Sequence, residues 1–272
     1  MKKYTYIVTA LALGIVVSCA TNPFSGKKTW ALVPDSQILP SAFAQYSTFL
    51  KENKVVSGTT NAKLVESVGI KIKNAAERYL NANGFQDYLK NYQWEYKLVE
   101  SPEVNAWCMP GGKIVVYSGI LPITKTEAGL ATVMGHEVAH ALANHGQQRM
   151  SAGVLQELGA AGTQILVGEQ SETTQALAMQ AYGAGSNVLG MLPFSRSHES
   201  EADEIGLTLM AIAGYNPEES ISFWQRMSAN SGGKSQPEFM STHPSDATRI
   251  ANLKRLIPIA KTNAAKFGVN FK

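Results

Sequence analysis

This chain has few covalent or electrostatic features to guide a reading. Its 272 residues include two cysteines, Cys19 and Cys108, too few for a disulfide framework or a cysteine-rich metal site. Neither sign of charge dominates: 24 Lys and Arg stand against 21 Asp and Glu, a net +3 that falls to about +1 without Lys2 and Lys3. No basic stripe interleaved with aromatics is present, so nucleic acid is not expected as a partner. No apolar run reaches the roughly 20 residues of a membrane-spanning helix. No period of 20–50 residues repeats, which excludes a solenoid. What is there is an ordinary globular composition, 44% hydrophobic and 17% charged, long enough to bury a sizeable core.

The first residues read as a targeting segment. Met1-Lys2-Lys3 is a charged start, residues 7–17 form a short apolar stretch, and Val16-Val17-Ser18-Cys19 resembles a bacterial lipobox. The expectation is a lipoprotein signal peptide over 1–18, membrane attachment through a lipidated Cys19, and a tether with little structure over 19–40. A plain secretory signal or a short anchor is the alternative. Ala20 after the cysteine, rather than Asp, is similar to enterobacterial sorting to the outer membrane. The expected location is therefore the bacterial envelope, on the outer membrane facing the periplasm. Cys108 is then the one cysteine left and reads as a buried, inert thiol.

Apolar spacing predicts helices over 41–54 and 61–82; in the second, Leu64, Val68, Ile72, Ala75, Ala76 and Tyr79 share a face. Alternation predicts strands over 93–100, 105–109 and 113–117, the last two joined at Pro110-Gly111-Gly112. Beyond Thr124 the pattern is helical throughout. Thr126 is placed to cap a helix running to about 144, and further helices are expected over 198–213, 217–229 and 245–259. The stretch 151–192 is rich in Ala, Gly, Leu and Gln, with a break at Ser171-Glu172-Thr173-Thr174. Glu157, Gln164, Glu169, Gln175 and Gln180 interrupt it, which favours core or lid over a membrane-dipping segment. The expected class is α+β, mainly helical, with one domain over 41–260 and a C-terminal tail over 261–272.

All five histidines lie at or after position 136. In His136-Glu137-Val138-Ala139-His140 two imidazoles stand one helical turn apart on one face, close enough to share one Zn²⁺. Glu137 lies towards the side where a metal-bound water would sit. A zinc site with an open position lowers the pKa of its water, and a neighbouring carboxylate can take that proton and pass it to a leaving amine. The surrounding Val138, Ala139, Ala141, Leu142 and Ala143 imply burial, where unpaired polar groups are penalised. On the motif alone, a helix that carries histidines by chance is the alternative. A catalytic zinc needs a third protein ligand. His145, five residues past His140, is expected to point away as a bystander. Residues 194–203 are rich in carboxylates; spacing leaves both Glu199 and Glu201 open as the ligand, and a solvated helix face is the alternative.

Four ordered motifs carry a resemblance. They are the HEVAH run; Ser195-Arg196 with Glu199, Ala202 and Asp203; His243-Pro244 with Arg249; and Asn105-Ala106 leading to Pro110-Gly111-Gly112-Lys113-Ile114. Together they are similar to the zinc metallopeptidase family of the CAAX prenyl protease, HtpX and BepA, over residues 60–255, and most of all to its short lipoprotein branch. The resemblance implies a zincin-like fold with a small sheet or hairpin beside the active-site helix. It implies one Zn²⁺ per chain held by His136, His140 and Glu199, with Glu137 catalytic and Asp203 orienting a metal histidine. It also places His243 near the metal, to stabilise an oxyanion or to fill the open position in a latent state; a capping or packing role is the alternative. Arg196 and Arg249 are expected in structural ion pairs. The 105–117 hairpin offers an edge to an extended peptide. The implied activity is a zinc-dependent endopeptidase acting on peptides or unfolded proteins in envelope quality control. The competing expectation is a zinc-containing chaperone-like or assembly factor with little or latent proteolysis.

Overall fold

The computed structural model describes residues 19–230, 238–243 and 247–271; the expected signal peptide over 1–18 and Pro244 lie outside them. A hairpin of β1 (Cys19–Thr21) and β2 (Lys28–Trp30) leads into helix α1 (Asp35–Glu52). This corrects the expected tether with little structure. Asn22 Oδ1 accepts from the Phe24 amide at 2.8 Å to shape the turn, and Phe24 stacks on Tyr79 with ring centroids 4.8 Å apart. The same Asn, Pro, Ser and Gly residues make a tight turn or a loose linker, so composition alone cannot separate them. Helix α1 also starts before the expected 41 and carries Pro40 inside it, a residue that ordinarily marks a helix boundary.

Helix α2 (Thr60–Ala82) is capped by Thr59, whose side chain accepts from the Ala62 amide, and buries Val65, Val68, Ile72, Ala75, Ala76 and Leu80. The main sheet has the order β3 (Val55–Val56), β4 (Glu95–Val99), β6 (Lys113–Tyr117), β5 (Ala106–Met109). Its outer pairs are antiparallel and the β4–β6 pair is parallel. Strand β6 is central, with Ile114, Val115 and Val116 fully buried, and β5 is left on an edge.

After a short α3 (Leu121–Thr124), helix α4 (Glu127–Leu142) runs through the middle of the molecule. Thr126 Oγ1 accepts from the Gly129 amide at 2.9 Å, and every residue from Gly129 to Leu142 is buried. Such a helix, apolar nearly all round, must be covered on every side; the sheet, α2 and α7 do so. Its C-terminal carbonyls, which have no partner within the helix, accept from Tyr88 Oη (to Leu142 O, 2.7 Å) and Tyr92 Oη (to Ala141 O, 3.1 Å).

Helices α5 (His145–Val167) and α6 (Glu172–Ser186) form a hairpin, with Ser171 capping α6. A π-helical turn (Asn187–Met191) then leads into α7 (Leu192–Ile212). The chain closes with α8 (Glu219–Asn230), α9 (Glu238–Thr242) and α10 (Ala247–Ala265). The stretch 151–192 is not core: α6 buries no residue, and α5 buries His145, Gln147, Gln148 and Ser151, all near its start. No described helix is long and apolar enough to cross a membrane. The expected tail is also corrected, because α10 runs to Ala265 and Phe267, Val269 and Phe271 pack on the main core. The class is α+β and mainly helical, as the sequence predicts.

Candidate metal centre

Helices α4 and α7 cross with their backbones nearly touching. A Cβ added at Gly206 would lie 2.9 Å from the His136 nitrogen, and one at Gly135 would lie 3.0 Å from the Gly206 carbonyl oxygen. Side chains of any size would hold the helices apart; the two glycines let α7 deliver Glu199 to the histidines of α4. The fourth group, His243, comes from the end of α9.

One donor atom from each of His136, His140, Glu199 and His243 lies within 4.8 Å of the others. His136 Nε2 and His140 Nε2 are 3.0 Å apart. The Glu199 carboxylate reaches both, Oε2 at 3.2 Å from His136 Nε2 and Oε1 at 3.3 Å from His140 Nε2. His243 Nδ1 sits 2.8 Å from Glu199 Oε2 and 3.1 Å from His136 Nε2. Three ring nitrogens and a carboxylate aimed at one point fit a cation better than a set of hydrogen bonds, since one point cannot hold a hydrogen for each pair. Imidazole and carboxylate donors in fourfold number suit Zn²⁺.

Glu137 leans on the same spot. It is buried, and its Oε1 lies 3.4 Å from His243 Nε2 without a hydrogen bond. Burial lifts its carboxyl above the ordinary value, against the pull of His243 and His136. Asp203 Oδ1 lies 3.0 Å from His136 Nδ1 and also receives Arg249, whose guanidinium rests 3.6 Å above the Trp224 ring. Burial alone would lower His136, but hydrogen bonds to Asp203 and Glu199 override it and push the ring up to about 9. Arg249 therefore stands in an ion pair, as expected, and against a metal-facing histidine as well.

His145 is the clear correction. Helix α4 ends at Leu142 and Asn144 adopts the left-handed conformation, φ +56°. Helical projection from His140 thus fails, and the first residue of α5 turns back. His145 Nδ1 lies 2.9 Å from His140 Nδ1, and its Nε2 lies 2.9 Å from Glu201 Oε2. Asn144 was the available signal, because Asn is among the few residues that readily take that conformation and so end helices. Glu201, which spacing left open as a ligand, is drawn to His145 instead. Burial would raise its carboxyl, but His145, Ser25 and Lys27 bring it down to about 2.

A cavity of about 250 Å³ opens beside His140, between the β5 end and the α4–α5 junction; Tyr88, Tyr92, Cys108, Met109, Asn144 and Arg149 line it. Cys108 is partly exposed there rather than fully enclosed, although burial, with Glu137 nearby, holds its thiol well above the usual range.

An imidazole pair on one helix completed by a glutamate from another is the ligand pattern of the thermolysin-like zinc metallopeptidases, and that is the class the fold and the site define. The sequence profile of peptidase family M48 matches residues 71–257, and the chain belongs to that family. The cofactor of the family is zinc. The chain is 36% identical over 207 residues to the mitochondrial metalloendopeptidase OMA1 of Saccharomyces cerevisiae, covering 72% of this chain and 56% of the relative. The human mitochondrial metalloendopeptidase OMA1 is 29% identical over 248 residues, 88% of this chain and 46% of the relative. The beta-barrel assembly-enhancing protease of Escherichia coli is 30% identical over 168 residues, 59% of this chain and 34% of the relative. The chain thus spans about half, or less, of the length of these relatives.

Proposed function

We propose that the protein is a zinc-dependent endopeptidase, held in a bacterial envelope by a lipid on Cys19 and acting on unfolded or surplus envelope proteins. The convergence of His136, His140 and Glu199 with a buried Glu137, whose Oε1 makes no hydrogen bond, carries the catalytic part. The bacterial location rests on the lipobox-like run before Cys19; two of the relatives above are mitochondrial by name, and that likeness bears on the family and not on the compartment.

In this reading His136, His140 and Glu199 hold the zinc, which when bound supplies a water of lowered pKa and polarises the scissile carbonyl. Glu137 would take the proton of that water and return it to the leaving amine. Asp203 fixes the His136 tautomer by accepting from Nδ1. An extended substrate pairs with the β5 edge and sets one side chain in the cavity beside His140. His243, whose ring nitrogen lies in the donor cluster, would in this reading fill the open position in a latent state, and α9 would then have to move for substrate to enter.

Glu137→Gln tests the proposal. The variant should keep stoichiometric zinc and its fold while cleavage of an unfolded protein such as casein falls by at least ~10²-fold, the scale of a lost general base. Unchanged cleavage would sink the mechanism. A zinc-bound chain that cleaves nothing even when His243→Ala removes the closing group would favour the binding-factor reading, to which the exposed apolar α5–α6 surface also points.

A further inference from the structure

The two zinc-facing histidines of α4 are supported in different ways. His136 meets a carboxylate directly, Asp203 at 3.0 Å. His140 meets another imidazole, and the carboxylate lies one residue further out. We propose that His145 and Glu201 are positioning residues for the metal site, a relay that fixes the tautomer and orientation of His140. The proposal rests on the zinc reading above.

The hydrogen count permits a single arrangement. His140 Nε2 faces the donor cluster and must keep its lone pair for a metal, so its hydrogen is on Nδ1. That hydrogen points at His145 Nδ1, 2.9 Å away, which accepts it. His145 then carries its own hydrogen on Nε2 and donates it to Glu201 Oε2 at 2.9 Å. Each nitrogen has one role, and both rings are neutral. The chain is enclosed: His145 has no exposure, its ring stacks on His198 at 4.1 Å, and His198 Nε2 is fixed by Gln148 Oε1 at 3.1 Å. Hydrogen bonds in so dry a place polarise one another and hold direction.

The outer end of the relay meets the segment that follows Cys19. Lys27 Nζ stands 3.6 Å from Glu201 Oε1. The same segment is fastened to the first turns of α5, where Gln147 Nε2 donates to Val33 O at 2.8 Å and the Leu32 amide donates to Ser151 Oγ at 3.0 Å. The stretch read from sequence as a tether is the wall that keeps His145 and Glu201 in place.

The test measures zinc affinity by competition with a chromophoric chelator, and the visible spectrum of the cobalt(II)-substituted protein, in His145→Phe, His145→Asn and Glu201→Gln. Loss of an outer partner of a metal histidine typically weakens binding 10- to 100-fold. His145→Phe should show that loss and an altered cobalt spectrum. His145→Asn, whose Oδ1 can accept where Nδ1 did, should recover most of the affinity. Glu201→Gln, nearly isosteric, should fall between them. Wild-type affinity and an unchanged cobalt spectrum in His145→Phe or Glu201→Gln would overturn the relay. So would weaker binding with an unchanged spectrum and a lowered melting point of the metal-free chain, which is a purely structural effect. Should His145→Phe not fold, Glu201→Gln decides by the same two readouts. A wild-type chain that takes up no zinc overturns the reading beneath the relay, a result separable from the variants' behaviour.

Discussion

Helix α4 and the α5–α6 hairpin are both rich in Ala, Gly and Leu and have opposite fates. In α4 every residue from Gly129 to Leu142 is buried. In the hairpin Ile165 is 77% exposed, Leu166 84% and Leu177 61%. Richness in Ala, Gly and Leu therefore does not by itself decide what forms the core. What decides is whether small residues stand where another backbone must come close. Gly135 and Gly206 do so between α4 and α7, whereas Gly162 and Gly183 of the hairpin meet no neighbour within 4 Å. The buried pair is fixed enough to bring His136, His140 and Glu199 together, with His243 of the α9 end completing a set of donor atoms within 4.8 Å of one another; beyond Ser151 neither helix of the hairpin buries a residue.

The largest expected effect is in backbone opening. Amides of α4 should exchange hydrogen only through global unfolding, on the order of 5–15 kcal/mol for a domain. Those of α6 should exchange through local opening of no more than about 2 kcal/mol. Native-state hydrogen exchange read by mass spectrometry checks this. Equal protection in α4 and α6 would break the comparison, since it would mean the hairpin is packed against something.

Alanine at glycine positions should then give effects of opposite sign in the two regions. Gly206→Ala drives a methyl into the backbone of His136, which side-chain repacking cannot relieve. Overpacking of this kind typically costs about 1–3 kcal/mol, or roughly 2–4 °C of melting temperature per kcal/mol in a chain this long. Zinc affinity should fall with it, as Glu199 is carried outward. Gly162→Ala meets open space inside a helix, where alanine is favoured by about 1 kcal/mol. Protection of the hairpin amides should rise by about fivefold. A stabilised Gly206→Ala, or a destabilised Gly162→Ala, would show that close approach is not what separates the two regions.

The same contrast explains what the sequence made legible. Residues whose position depends on local geometry could be read directly: Thr126 as the α4 cap, the 113–117 strand, His136 and His140 one turn apart. Glu199 came from resemblance, since spacing left it level with Glu201. Two features depended on a partner and were hidden. His145 was assigned by extending α4 through Asn144, whose left-handed turn reverses the chain and brings the ring back to His140. The segment after Cys19 read as a tether because its turn residues have no pattern of their own; its order comes from Phe24 on Tyr79 and from Gln147 of α5. The core expected over 151–192 as one of two readings failed for the converse reason, an apolar pattern without a surface to cover it.

The smallest expected effect lies at the start of α4, where the buried helix meets water. Glu127 occupies its first turn, favourable for an acid at a helix N-terminus; it accepts from Lys71 Nζ at 2.8 Å and from Tyr215 Oη at 2.5 Å. The hydrogen bond to Lys71, then that to Tyr215, hold its carboxyl below the ordinary value. A depressed folded-state pKa stabilises the fold above the unfolded value, near 4.3, and that stability is lost as pH falls through the folded value. Because the Glu127 side chain is 41% exposed, solvent screens the pair and the contribution should be about 0.5 kcal/mol. Glu127→Gln in the metal-free chain should lower stability by that amount at pH 7, as read by urea denaturation. The difference should vanish once the pH lies below the folded value. A difference that persisted there would belong to packing at the helix end and not to charge, and one that vanished at 0.5 M salt would place Glu127 with the exposed hairpin rather than with the buried helix it begins.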